Sequence, residues 1–176
     1  DVTAGGLVGE AESTTVSDCW SGTDVEIKDS TKSSNITFGG IVGKISDAQS
    51  GVIVDSNISY GRFFVDSSIN PNTINAGGIA GSIQTSGTTK IIVVTNNKTL
   101  TSLEIRRHAT GKYAHTGKYA HNVNAVVGNC DSKKIGGSGN LYTYQLSLAV
   151  ESDINFATNC NTLSGVEIPA SGDEGS

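Results

Sequence analysis

One five-residue pattern recurs along the chain and constrains the fold more than any other feature. Gly5-Gly6-Leu7-Val8-Gly9 returns as Gly39-Gly40-Ile41-Val42-Gly43, as Gly77-Gly78-Ile79-Ala80-Gly81 and, more weakly, as Asn124-Ala125-Val126-Val127-Gly128. The closing glycines, Gly9, Gly43, Gly81 and Gly128, are 34, 38 and 47 residues apart. Units of that length cannot each bury an apolar face alone and must stack on their neighbours. Two further elements follow each of the first three copies. One runs Val16-Ser17-Asp18-Cys19-Trp20-Ser21-Gly22, then Val54 to Gly61, then Val94 to Thr99. The other is a short β-branched run: Asp24 to Ile27, Arg62 to Val65, Ser102 to Ile105.

Composition agrees with stacked strands and excludes other classes. Charged residues are 16% of the chain against a usual ~25%, and helical periodicity is weak, so a helical bundle or coiled coil is excluded. Proline occurs only at Pro71 and Pro169, which suits ladders that need every backbone N–H. Twelve Lys and Arg under a net charge of -5 argue against nucleic-acid binding. The longest apolar run, Lys90 to Thr95, is far short of the ~18 residues of a membrane span and reads as a strand, so no membrane insertion is expected. The chain opens without a signal-like apolar segment, as a mature or excerpted segment would.

Three strands per copy, with Gly, Ser, Asn and Asp between them, predict an all-β fold: a parallel β-solenoid of four to five coils. Equivalent residues would stack at about 4.8 Å. Leu7, Ile41, Ile79 and Val126 form one expected internal ladder, Val16, Val54 and Val94 a second, and Ile27, Val65 and Ile105 a third. The paired glycines are expected at a recurring corner, for φ > 0 and close backbone approach. Coils are assigned to residues 1–105. Residues 106–150 read as an irregular loop or hairpin insertion. It holds the duplication Thr110 to His115, Thr116 to His121 and one alternating strand, Leu141 to Leu148. Residues 151–176 read as a partial, capping copy with a polar tail, in which Asn159 to Ile168 echoes Asp18 to Ile27. The usual chirality of parallel crossovers favours a right-handed path.

These residues resemble the GLUG repeat, whose pattern is a G-G-[LIV]-V-G core, a polar turn, and then a hydrophobic residue, x, [ND], [CN] and a glycine. Gly5 to Gly22 is the best match. The second and third copies have longer turns, and the fourth lacks both leading glycines. The resemblance covers about residues 4–105, with a faint tail to 168. It implies a parallel β-solenoid outside the cell, of the kind found in surface and adhesin-like proteins, and it marks an architecture rather than a reaction.

The candidate site residues each carry two readings. Three cysteines, Cys19, Cys130 and Cys160, show no zinc spacing. A Cys130–Cys160 disulfide would staple the C-terminal part, and the alternative is three small buried side chains. The sequons begin at Asn35, Asn57 and Asn97 and are glycosylation candidates. Cys19, Asn57 and Asn97 share one corner in the repeat register, so the alternative is a buried amide ladder from coil to coil. Trp20 and Tyr60 fall near that corner and would either stack on a sugar or partner, or pack on the rim of a neighbouring coil. His108, His115 and His121 have spacings that converge on no single face, so no metal site is expected. Gly111 to Lys118 has the wrong glycine spacing for a phosphate loop. Asp18, Asp55, Asp66 and Glu104 are carboxylates that would need a partner across a bound sugar to act, and Asp18 and Asp55 read more simply as turn residues. No catalytic residues, cofactor or metal are expected.

The expectation is therefore a non-enzymatic extracellular β-solenoid, structural or adhesive. It would be a block of a larger surface protein, or a fibre subunit assembled head to tail. Its partners would be its own copies or neighbouring repeats, with glycans possible. The chain starts just ahead of a Gly-Gly pair and closes on a polar tail, as a tandem unit would, and an odd cysteine is left over. The competing expectation is a carbohydrate-binding module or polysaccharide-active enzyme on the same scaffold.

Overall fold

The computed structural model describes residues 1–27, 34–46, 51–67, 71–84, 92–107, 120–130, 135–143, 145–148, 153–155 and 166–167. Among these the secondary structure is all β, without helix, and all the strand pairs are parallel. The first pass of the chain makes β1 (Val2–Gly5), β2 (Val8–Ala11), β3 (Thr15–Ser17), β4 (Trp20–Ser21) and β5 (Val25–Ile27). The second makes β6 (Ser34–Gly39), β7 (Val42–Ile45), β8 (Val52–Asp55) and β9 (Ile58–Ser67). The third repeats this as β10 (Pro71–Gly77), β11 (Ala80–Ile83), β12 (Ile92–Thr95) and β13 (Lys98–Arg107). The fourth gives β14 (Ala120–Asn124), β15 (Val127–Cys130), β16 (Ile135–Gly136), β17 (Leu141–Tyr142) and β18 (Gln145–Leu148). Finally come β19 (Asp153–Asn155) and β20 (Val166–Glu167).

Each pass deals its strands to four sheets in the same order. Sheet A runs β1-β6-β10-β14-β19, sheet B β2-β7-β11-β15, and sheet C β3-β8-β12-β16. Sheet D runs β4-β9-β13-β17-β20, with β5 on β9 and β18 on β13. The sequence reading counted three strands per copy; the structure has four. The missing one is the strand before each glycine pair, as in Ile36-Thr37-Phe38 and Ile74-Asn75-Ala76, which pair in register. Starting each copy at its glycines cut that strand away.

The expected ladders are in register. Val16, Val54 and Val94 pair in sequence and are buried. Ile27, Val65 and Ile105 align through β9. Ile41, Ile79 and Val126 are buried, but Leu7 is 46% exposed, because it belongs to the outermost pass. The boundary expected near residue 105 is not a structural one. Strand β13 runs through Arg107, and residues 120–148 supply a fourth pass to all four sheets. The tail also registers differently. Val166 pairs with Leu141, and so aligns through Lys98 and Ile58 with Trp20 rather than with Val25. Most of the Thr110–His121 duplication, with His108 and His115, lies outside the described residues; only Ala120 and His121 enter β14.

The interior divides into two apolar clusters. One lies between sheets B and C and includes Ile41, Val42, Ile45, Val54, Ile83 and Val94. The other lies between sheet A and the distal half of sheet D. There the Phe38 and Phe63 rings stack with centroids 4.3 Å apart. Between the clusters the section narrows to a waist. Gly6, Gly40 and Gly78 face Ser21, Ser59 and Thr99 across it. A Cβ on Gly40 would fall inside contact distance of both Ser59 Oγ and the Gly78 carbonyl oxygen, and Gly6 and Gly78 are equivalent. None of the paired glycines has a positive φ. The expectation of φ > 0 at this corner is thus corrected: close approach alone excludes a side chain here.

The waist makes a paired prediction. Gly40→Ala forces backbone and Ser59 apart and should destabilise the protein by about 1–3 kcal/mol. Gly9→Ala meets nothing within 4 Å and should stay within about 0.5 kcal/mol of the parent. Denaturant midpoints of the two variants check this, and equal midpoints would sink the waist argument.

Candidate functional site

Three features stand out where the passes stack: a buried amide ladder, an exposed apolar column and a polar groove. The ladder sits at the turn between sheets C and D. The residue before each ladder position is held in the left-handed region: Asp18 at φ 55, Ser56 at 57, Asn96 at 53 and Gly139 at 71. That turn swings the next side chain inward. The Cys19 N–H donates to Asn57 Oδ1 at 3.1 Å, the Asn57 N–H to Asn97 Oδ1 at 3.0 Å, and the Asn97 N–H to Asn140 Oδ1 at 3.1 Å. Each amide nitrogen donates back to the preceding pass: Asn57 Nδ2 to Val16 O, Asn97 Nδ2 to Val54 O and Asn140 Nδ2 to Val94 O. The amides also bond to one another, Asn57 to Asn97 and Asn97 to Asn140. All three asparagines are at most 1% exposed.

This supports the ladder reading of these two sequons. In the folded chain the Asn57 and Asn97 amide nitrogens are buried and already donate two hydrogen bonds each. Asn35 differs: its side chain is exposed on β6, and its backbone N–H donates to Asp1 Oδ1. Asn140 was missed as a ladder member. It carries no sequon and follows Gly136-Gly137-Ser138-Gly139, which reads as a turn; the signal was an Asn between a turn residue and a β run, Gly139-Asn140-Leu141, as in Ser56-Asn57-Ile58. Cys19 ends the ladder with a free thiol that donates to Ser17 O at 3.1 Å. Cys130 is disulfide-bonded, and Cys160 lies outside the described residues.

The apolar column is on the outer face of sheet D. Trp20 and Tyr60 come together as expected, stacked with centroids 5.9 Å apart and planes at 22°. The Tyr60 ring lies over Gly22, where any Cβ would strike it. Trp20 is 67% exposed and Tyr60 40%, so rim packing covers only part of them. The sequence reading missed their neighbours: Ile58, Leu141 and Val166 are exposed in register with Trp20, interrupted by Lys98, and Leu100 is exposed in register with Tyr60. The alternation is inverted here, with Ser21, Ser59 and Thr99 inside and the larger residues outside. The waist leaves no room for more than a hydroxyl, and Ser59 Oγ and Thr101 Oγ1 share a 2.8 Å hydrogen bond inside it.

The groove runs between the outer faces of sheets A and B, with a volume of about 380 Å³. One wall is the in-register column Thr3, Thr37, Asn75, Asn122. The other carries Lys44 and Asn129, with Gln84 beyond. Asn122 Nδ2 donates to Asn75 Oδ1 at 2.7 Å. Lys44 Nζ lies 3.3 Å from Glu10 Oε1. The Glu10 carboxyl is held below its ordinary value first by the Ser46 hydroxyl that donates to it, and then by Lys44.

The carboxylates singled out in the sequence do not converge. Asp18 is at the left-handed turn, Asp55 accepts from Asn96 Nδ2 at 3.1 Å, and Glu104 pairs with Arg62 at 2.7 Å. Nothing is described of the Asp66 or His121 side chain. Among the described residues no group of three or more His, Cys, Asp or Glu could hold a metal. No family model, curated protein or solved structure matches the chain.

Two outcomes follow. Asn97→Ala strands the Asn57 N–H and the Val54 carbonyl in the interior and should cost about 3 kcal/mol or more, since each unmet buried group costs about 1–3 kcal/mol; chemical denaturation against the parent measures it. In protein secreted from a eukaryotic host, peptide mass spectrometry should find sugar at Asn35 and none at Asn57 or Asn97. Occupied Asn57 in folded material would overturn the ladder.

Proposed function

We propose that the chain is a parallel β-solenoid with GLUG-like coils, serving as a non-enzymatic structural or adhesive element outside the cell. It would act as a block of a larger surface protein or as a fibre subunit stacked head to tail. The observation that carries the reading is the dealing of strands to four sheets in one fixed order, pass after pass. Such an arrangement grows along one axis by adding coils, and its stability is a sum of coil and interface contributions. The outer strands β1, β2, β3 and β4 each pair on one side only among the described residues, and unpaired parallel edges are templates for further strands. The disulfide at Cys130 supports an oxidising compartment. The exposed apolar side chains of sheet D, with Trp20 stacked on Tyr60 and Ile58, Leu100, Leu141 and Val166 beside them, supply an adhesive face.

Electron microscopy of the protein purified from its source tests this. The expected result is filaments, or an elongated multi-block particle, with an axial repeat of about 20–25 Å per copy, from four to five strand spacings. A compact, monodisperse monomer at high concentration that binds no cell surface would defeat the proposal.

A further inference from the structure

The polar groove between sheets A and B is the feature that neither stacking nor adhesion uses. We infer that it is a binding site for a neutral glycan chain laid along the stacking direction. Four observations point to this. The lining is mainly hydrogen-bonding: Thr37, Asn75 and Asn122 on one wall, Lys44, Gln84 and Asn129 on the other, with Asp1 beside them and Val2 the one apolar residue. Amides and hydroxyls of this kind match the paired donors and acceptors of sugar hydroxyls.

The groove also offers no free cationic side chain. Lys44 is the one cationic side chain lining it and is matched by Glu10, and the Asp1 carboxylate lines it as well, so an anionic polymer would find no uncompensated cationic side chain. Its residues repeat as well. Thr3, Thr37, Asn75 and Asn122 follow one another in register, at the ~4.8 Å strand spacing. Such a wall suits a ligand that offers a hydroxyl-bearing unit to each pass. The volume, about 380 Å³, lies within the range of ~300–1,000 Å³ usual for ligand sites.

The fourth observation is an unmet group. Ser82 pairs with Lys44 on one side and Asn129 on the other, and both line the groove, so its side chain belongs to the same face. Its hydroxyl is buried, at 1% residue exposure, and has no hydrogen-bond partner. An unsatisfied buried hydroxyl is costly; Ser82 does not itself line the groove, so a ligand reaches it only through a side-chain shift or a bridging water. The site is separate from the Trp20–Tyr60 pair, which lies on sheet D.

Isothermal titration of the full chain, made in a non-glycosylating host so that Asn35 is bare, tests the inference. The probes are neutral oligosaccharides of increasing length from β-glucan, mannan, galactan and xylan. Binding at millimolar concentration or tighter is expected for at least one series, strengthening with length up to about a tetrasaccharide. Asn75→Ala with Asn122→Ala should weaken it about tenfold or more, and so should Asn129→Ala from the opposite wall, at unchanged thermal midpoints. Trp20→Ala should leave it intact. Binding abolished by Trp20→Ala and kept in both groove variants would move the sugar to sheet D and overturn the inference. Flat titrations across all four series would overturn it as well, and neither result bears on the filament test.

Discussion

Backbone meeting backbone at the waist is the contact on which everything else depends. Gly6, Gly40 and Gly78 each sit against the carbonyl of the next pass and the hydroxyl of Ser21, Ser59 or Thr99. With no room for a Cβ, the section pinches there and the apolar interior splits into two clusters. The pinch also explains the inverted strand segments of sheet D. Only Ser or Thr fits beneath the glycines, so Ile58, Tyr60 and Leu100 turn outward.

The amide ladder solves a different problem. A turn taken in the left-handed region frees backbone groups that ordinary sheet pairing would have satisfied, and buried groups of this kind must find partners. The asparagine side chain satisfies both kinds on the preceding pass: its oxygen takes the N–H just after that pass's turn residue, and its nitrogen serves the carbonyl two residues before it. Hydrogen bonds in such a chain polarise one another. Asparagine is therefore a structural residue at these positions, although Asn57 and Asn97 stand in sequons.

Much of the fold was legible because stacked repeats write their ladders directly into the sequence. The alignments of Val16 with Val54 and Val94, and of Ile27 with Val65 and Ile105, could be read by eye. What failed did so for local reasons. The strand before each glycine pair has alternation too short to stand out beside the motif. The fourth pass was obscured because Asn124 and Ala125 replace its glycines and the spacing grows to 47 residues, although its strands keep register. The aromatic pair was legible from repeat position, but the rest of the apolar column was not, since alternation alone cannot tell which face of Ile58-Ser59-Tyr60 is buried. The groove was invisible because it joins residues from two sheets and four passes.

The asparagine ladder also has a mechanical meaning. Its hydrogen bonds run from pass to pass, in the same direction as the backbone bonds of the four sheets. Tension along that axis therefore loads every bond between two passes together rather than one after another. Such an interface resists stretching until it gives way at once, whereas a hairpin pulled from its open end unzips in small steps. Cys19, which offers no amide at the first pass, is where this reinforcement stops.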